Sequence, residues 1–240
     1  MTDFIKISYT GRVKDGRVFD TTSKEVAKKE DIFDEKKIYA LFPVVVGGGQ
    51  VIPGLDEELK GMKSGDKKKV EISPEKGYGK KDPKLVRLVP RAVFKKERIT
   101  PIPGMPIELD GRPARIQTVA GGRVRVDFNH ELSGKTLVFE VKVEEKAATD
   151  ADKARFLVER SFNDSKDFDI KLKAGMLEIR IPEKAYKDRN ILVRKASLAA
   201  EIFKYLGNSK ITFTEEWSKA ENKPEGGGGK DDQHDAKGDS

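Results

Sequence analysis

Apolar and polar residues follow two different spacings in the first part of the chain. Residues 4–9 alternate, with Ile5, Ile7 and Tyr9 on one face, which predicts a half-buried strand. Residues 44–46 and 67–72 predict two further strands, of which the second alternates in the same way. Between these two strands an apolar stripe recurs at helical spacing after Pro53, which favours one short amphipathic helix; its residues are Leu55, Leu59 and Met62. A lone short helix cannot bury such a stripe, so we expect it to lie on the sheet.

The middle of the chain has a different pattern. Prolines are frequent between residues 83 and 127, and short strand-like pieces (LVRLV, MPIEL, ARIQTV, RVRV) alternate with turn signals such as Asp110-Gly111 and Gly121-Gly122. This pattern predicts a small, separate β-rich unit. Its apolar residues could form its own core, leave an exposed groove for unfolded chains, or support self-association through a strand edge. Residues 135–144 then predict a long alternating strand.

The last part of the chain predicts a third unit. Residues 147–152 are interpreted as a linker, residues 154–162 as a helix, and residues 169–172 and 176–181 as a hairpin. Residues 190–206 carry the strongest helical pattern, which ends at Gly207, and residues 211–213 predict a final strand. From residue 218 the chain is polar and rich in glycine, so we predict a disordered tail for residues 218–240.

Composition narrows the possible functions. The formal net charge is +7, but 48 Lys and Arg are nearly matched by 41 Asp and Glu, so a solvated surface is favoured over a dedicated nucleic-acid or ribosome interface. The absence of cysteine excludes disulfides and thiol chemistry and fits a reducing cytoplasm. No apolar run is long enough to span a membrane, and the first residues lack a secretory pattern. We therefore expect a cytoplasmic protein without a membrane partner.

Three separated blocks carry a family resemblance. The blocks are YTGRVKDGRVFDTT, VVVGGGQVIPGLDEELKGMKSGDKKKVEISPEKGYG and GKTLVFEVKV. Together, and in this order, they resemble the FKBP peptidyl-prolyl isomerases. The long segment between Tyr78-Gly79 and the last block looks like the insert-in-flap domain of SlyD-type members, and the additional third unit makes the whole similar to long-chain archaeal FKBPs.

This resemblance implies an α+β fold and a division into domains. An antiparallel curved sheet would wrap around one short helix, with an inserted β-rich domain and a C-terminal α+β domain. The implied boundaries are residues 1–83 plus 129–146 for the isomerase domain, 84–128 for the insert, 150–217 for the C-terminal domain and 218–240 for the tail.

The resemblance also implies which residues form the proline pocket. Asp20, Tyr78 and Ile52 take the catalytic positions. Asp20 would orient its neighbours or act on the twisted amide by its charge, Tyr78 would act by its hydroxyl and Ile52 by its backbone N–H. The implied substrate-binding residues are Tyr9, Phe19, Phe42, Val51, Leu55, His130, Leu132 and Phe139. His130 and Leu132, at the end of the insert, are expected at the rim.

Prolyl isomerisation explains why such a site needs these residue types. Rotation about an X–Pro bond passes through a twisted amide at a barrier of about 18–20 kcal/mol. No covalent bond breaks, so we expect neither cofactor nor metal. An aromatic, water-poor slot favours the less polar twisted amide, and a few donors hold its carbonyl. Leu55 stands where many FKBPs have tryptophan, which puts tight macrolide binding in doubt but does not exclude activity.

Two hypotheses about function follow. In the first, the chain isomerises X–Pro bonds of unfolded or partly folded polypeptides that the insert captures. In the second, it only holds unfolded clients and its pocket is vestigial. Weak association with nucleic acid through the basic surface is a third possibility, for which steep salt dependence would be the sign.

Overall fold

The computed structural model describes residues 2–173 and 175–217. The tail predicted for residues 218–240 lies outside the described residues. Within these ranges the chain forms three sheets and five α-helices, an α+β architecture as predicted. None of these helices combines the length and apolar character that crossing a membrane requires.

The first unit starts with strands and one principal helix. Its elements are β1 (Phe4–Val13), β2 (Val18–Thr21), α1 (Lys24–Lys29), β3 (Phe42–Val45), α2 (Pro53–Leu59) and β4 (Lys67–Ile72). Pro53 begins α2, where its missing N–H costs nothing. The charged segment after β2 contains α1, whose N-cap Ser23 accepts a hydrogen bond from the Val26 N–H.

The inserted unit follows β4. It consists of β5 (Val86–Pro90), α3 (Arg91–Lys96), β6 (Pro106–Leu109), β7 (Arg112–Ala120) and β8 (Arg123–Asp127). The strands form an antiparallel sheet in the order β5-β8-β7-β6. No helical pattern had indicated α3, which buries Phe94 in the core of the insert.

The chain then returns to the first sheet through β9 (Leu137–Lys146). The sheet order is β2-β1-β9-β4, and β3 pairs with β1 beside β2. Helix α2 lies against this sheet, as expected, and packs Leu55 and Leu59 into a core with Ile7, Leu137 and Val141. All pairings in this sheet are antiparallel.

The first helix of the third unit begins earlier than predicted. The elements are α4 (Asp150–Phe162), β10 (Asp169–Lys173), β11 (Met176–Arg180), α5 (Ile191–Leu206) and β12 (Lys210–Thr214). The linker prediction for residues 147–152 was wrong in its second half, because Thr149 and Asp152 form a capping box that starts α4 at Asp150. The hairpin of β10 and β11 is present, and β12 adds to it in parallel.

The third unit packs against the first sheet. Phe4 and Val45 belong to the same hydrophobic cluster as Leu157 of α4 and Ile202 of α5. The Phe4 ring meets Tyr205 edge-on at 5.9 Å between ring centroids. The Lys6 ammonium reaches both Glu145 of β9 and Glu159 of α4, at 2.9 and 3.0 Å. The face of β1 opposite α2 is therefore a docking face for the third unit.

Candidate functional site

A cleft of about 460 Å³ opens between the N-terminus of α2 and the first sheet. Nine of the eleven residues predicted for the site line it, although they come from six separate stretches of the chain. The lining residues are Tyr9, Phe19, Asp20, Phe42, Gly49, Gln50, Val51, Ile52, Leu55, Tyr78 and Phe139. The structure does not bring His130 or Leu132 to this cleft. We call it the proline slot, because the family resemblance places the proline pocket here.

Aromatic rings form the wall of the proline slot. The Phe139 ring centroid lies 5.7 Å from that of Phe19 and 6.1 Å from that of Tyr9, while Tyr9 and Phe42 are 6.2 Å apart. These spacings are typical of edge-to-face aromatic packing. Gly11 allows it, because a Cβ there would lie 2.8 Å from both the Phe139 and the Phe19 ring. The wall therefore depends on a glycine in β1.

The floor of the proline slot is aliphatic. Leu55, in the first turn of α2, is only 2% exposed and packs into the main core of the first unit. Val51 and Ile52 precede the helix and pack at the edge of the same core. This floor rests on rigid secondary structure, so a planar ring that enters the cleft meets preformed apolar surface.

Asp20 is the charged group of the proline slot. Its Oδ2 accepts a hydrogen bond of 2.6 Å from the Tyr9 hydroxyl, and its Oδ1 accepts one from the Lys37 ammonium. Lys37 also donates to the Thr21 carbonyl at 3.1 Å. Both carboxylate oxygens are thus engaged within the protein. Sequence reasoning missed Lys37, because one lysine in a highly charged segment gives no local signal.

Both tyrosines of the proline slot remain protonated at neutral pH. Burial, reinforced by the hydrogen bond to Asp20 and its charge, raises the pKa of Tyr9 far above its usual value. Burial and the Asp20 charge also raise the pKa of Tyr78. A neutral phenol is a hydrogen-bond donor, so the Tyr78 hydroxyl can donate throughout the neutral pH range.

Two donors in the cleft have no acceptor among the described residues. They are the Tyr78 hydroxyl and the backbone N–H of Ile52, the N-cap residue of α2. The loop before α2 is held in place, because the Gln50 side chain accepts from the Val45 N–H at 2.8 Å and Asp56 accepts from the Gly47 N–H at 2.9 Å. Sequence reasoning missed Gln50, which looked like an ordinary turn residue.

The two residues predicted at the rim do not themselves line the cleft. His130 is exposed, and its ring stacks on Tyr78 with centroids 4.3 Å apart and planes 1° from parallel. Its Nδ1 accepts from the Leu132 N–H at 3.2 Å. Leu132 is buried in the core of the first unit. His130 thus touches the site through Tyr78, whereas Leu132 contributes packing beneath it.

The architecture and the cleft together define the class of protein. The first unit is a five-stranded antiparallel sheet packed on one short helix, with an aromatic cleft between them. A β-rich insert precedes its last strand, and a C-terminal unit follows. This arrangement is the FKBP fold with an insert and a C-terminal unit.

Comparison with known proteins gives the family. The family model described as FKBP26, IF domain matches residues 87–132, and the one described as FKBP26_C-terminal matches residues 150–218. A short-type peptidyl-prolyl cis-trans isomerase of Methanocaldococcus jannaschii is 42% identical over 141 residues, which cover 59% of this chain and 89% of that protein. An FKBP-type peptidyl-prolyl cis-trans isomerase SlyD of Treponema pallidum is 34% identical over 142 residues, covering 55% of this chain and 77% of the relative. The chain belongs to the FKBP-type peptidyl-prolyl cis-trans isomerases, with SlyD-like features.

Proposed function

We propose that the chain isomerises X–Pro bonds of unfolded or partly folded polypeptides in the proline slot, and that the insert captures these clients. The observation that carries the first part is the convergence of nine predicted residues on one aromatic cleft with two free donors. The names of the relatives, which are peptidyl-prolyl isomerases, support the same reaction.

The slot suits a rotation that breaks no bond. A proline ring on Leu55 and between the Phe139 and Tyr9 rings displaces water from around the amide. The planar amide loses more solvation there than the twisted one, which has lost its resonance and part of its dipole. The Tyr78 hydroxyl and the Ile52 N–H then bind the carbonyl of the bound segment as it turns.

Asp20 has an indirect part in this proposal. Tyr9 and Lys37 already use both of its oxygens, so the carboxylate fixes the Tyr9 ring against the proline and contributes negative potential to the slot. A millionfold acceleration requires about 8 kcal/mol. No single neutral hydrogen bond supplies that amount, so desolvation and several contacts must share it.

The insert has features that fit client capture. Most of its apolar residues form its own core around Phe94 and Ile116, but Leu88 and Ile102 are 61% and 58% exposed. Such residues can contact unfolded chain transiently. Capture next to the slot raises the effective concentration of X–Pro bonds there. Holding without isomerisation is the alternative function.

We further propose the domain boundaries derived from the sequence as functional boundaries. Three separate hydrophobic clusters support them, although Phe4 and Val45 of the first unit share the cluster of the third. The junction with the insert is narrow: the Asp82 N–H donates to Asn129 Oδ1 at 2.8 Å, and Asn129 Nδ2 donates to the Asp82 carbonyl at 3.0 Å.

Refolding of a protein limited by a slow X–Pro step tests the proposal. The full chain is compared with a chain in which a short glycine linker joins residues 83 and 129. We expect the full chain to accelerate refolding catalytically, and the shortened chain to isomerise short peptides normally while losing most of its effect on the protein. If the full chain suppresses aggregation without changing the refolding rate, the holding function replaces the one proposed.

A further inference from the structure

A second cleft, of about 880 Å³, lies between the first unit and the insert. It is lined by residues from the turn before β2, from the insert strands and from the segment before β9. The charged residues among them are Arg17, Lys81, Arg112, Arg115, Asp127, Glu131 and Lys135. We call it the basic cleft. Five cations and two carboxylates give its lining an excess of three positive charges.

The two carboxylates in the basic cleft are already engaged. Asp127 is nearly buried and accepts from Lys81 at 3.0 Å and from Gln117 at 2.9 Å. Glu131 is shared by Arg17 and Arg115, each at 3.6 Å. Arg112 and Lys135 have no carboxylate within ion-pair distance in the part of the chain that the structure describes. These two cations are therefore available to an anionic ligand.

The charge of the insert as a whole also favours an anionic ligand. Residues 84–128 contain ten Lys and Arg but only four Asp and Glu, an excess of six positive charges, while the entire chain carries +7. The remaining residues are almost balanced. The positive potential of the protein is thus concentrated on the unit that faces the basic cleft, which favours approach of negatively charged chains.

The basic cleft adjoins the proline slot. His130 lines the basic cleft and stacks on Tyr78, which lines the slot. A polypeptide whose proline occupies the slot would therefore pass these two rings and enter the basic cleft with its neighbouring residues. Arginine binds carboxylates with two parallel hydrogen bonds, which suits Asp and Glu side chains in such a segment.

We propose that the basic cleft binds acidic side chains that flank the client's proline, so that the protein selects acidic X–Pro segments. This inference rests on the proposed function, since it takes the slot as the place of the proline. An acidic polypeptide fits the cleft better than a nucleic acid does. Phe128 is only 9% exposed and is covered by Arg87 and Arg112, so it offers no free face for stacking a base.

The test uses the full chain and three labelled peptides with the same central Leu-Pro. Their flanking residues are Glu, Gln or Lys. Fluorescence anisotropy gives Kd, and NMR exchange gives the isomerisation rate of the same peptides. We expect the Glu peptide to bind about threefold to tenfold more tightly than the Gln peptide at low salt, and the Lys peptide more weakly. Added salt should reduce this preference.

A matched pair of double variants locates the preference. Arg112→Gln with Lys135→Gln should bring the ratio of Gln-peptide Kd to Glu-peptide Kd close to one. Arg189→Gln with Lys210→Gln removes the same charges from exposed positions in the third unit and should keep the ratio. An equal fall in both variants would mean a diffuse charge effect and overturn the proposal.

Other outcomes separate this inference from the proposed function. Equal affinity of the wild-type chain for all three peptides, or no binding of any, overturns charge selection. A single-stranded oligonucleotide that displaces the Glu peptide at concentrations below the Kd of that peptide would make the basic cleft a nucleic-acid site. If the charge preference is present but no peptide is isomerised, charge selection stands and the isomerase proposal fails.

Discussion

Replacing Tyr78 by Phe removes one hydroxyl group from the proline slot and leaves the ring in place. The stacking of this ring on His130, at 4.3 Å between centroids, does not need the hydroxyl. Nor does the hydroxyl make a hydrogen bond to any other described residue. The variant should therefore fold as stably as the wild type, and any loss of activity reports on the substrate carbonyl.

The expected loss follows from the kind of hydrogen bond removed. The Tyr78 phenol and the amide carbonyl are both neutral, and such a bond contributes about 0.5–1.5 kcal/mol. Tyr78 is 37% exposed, so water competes for the same carbonyl. We expect kcat/KM to fall about twofold to tenfold, well below the loss typical of a donor to a full oxyanion.

The assay is isomer-specific proteolysis of an X–Pro peptide, with thermal unfolding measured in parallel. Tyr186→Phe is the control, because Tyr186 lies in the third unit, where its hydroxyl donates to the Ile181 carbonyl at 3.1 Å. Unchanged kcat/KM in Tyr78→Phe, or an equal fall in Tyr186→Phe, would refute the donor assignment. Because burial and the Asp20 charge raise the pKa of Tyr78, wild-type kcat/KM should also stay flat between about pH 6 and pH 9.

Three further substitutions test residues that hold the proline slot and the basic cleft in shape. Lys37→Met leaves one Asp20 oxygen to solvent and should lower kcat/KM about twofold to fivefold, whereas Lys36→Met, measured in the same peptide assay, should not. Gly11→Ala places a Cβ 2.8 Å from two aromatic rings, so we expect about 1–3 kcal/mol of destabilisation in urea unfolding together with reduced turnover. For Asp127, burial opposes ionisation, but hydrogen bonds from Asn129 and Lys81 hold the pKa at about 2. Its ionised form therefore stabilises the fold above about pH 4, and this contribution disappears as the pH falls through 2. Asp127→Asn should lower Tm at pH 7, and the difference from wild type should vanish towards pH 2; a constant difference across this range would contradict the assignment.

Much of the proline slot could be predicted because its residues lie in the sequence blocks that resemble the FKBP family. Tyr9 and Leu55 also occupy positions that strand alternation and helical spacing assign to a buried face. Lys37 could not be found this way. Its role depends on the fold of the long charged segment after β2, which brings its ammonium to Asp20.

The rim residues show a related limit. His130 and Leu132 are close in sequence and were assigned the same position, yet one ring is exposed against Tyr78 and the other side chain is buried. The Leu132 N–H donates to the His130 ring, so the two residues are in contact although their side chains have different environments. No spacing rule distinguishes them, because the segment between β8 and β9 has neither helical nor strand periodicity.

By itself the sequence determined the identity of most strands and helices, since these depend on spacing and on turn residues within short stretches. Its resemblance to the FKBP family implied the residues of the proline slot. Only the tertiary structure decided how the three units meet. In β1 the alternation places Ile5 and Ile7 on the α2 side, and it leaves Phe4 on the opposite face. That face is buried only because α4 and α5 pack on it. The basic cleft has the same origin, because its cations come from distant parts of the chain and share a potential only when the insert folds beside the first sheet.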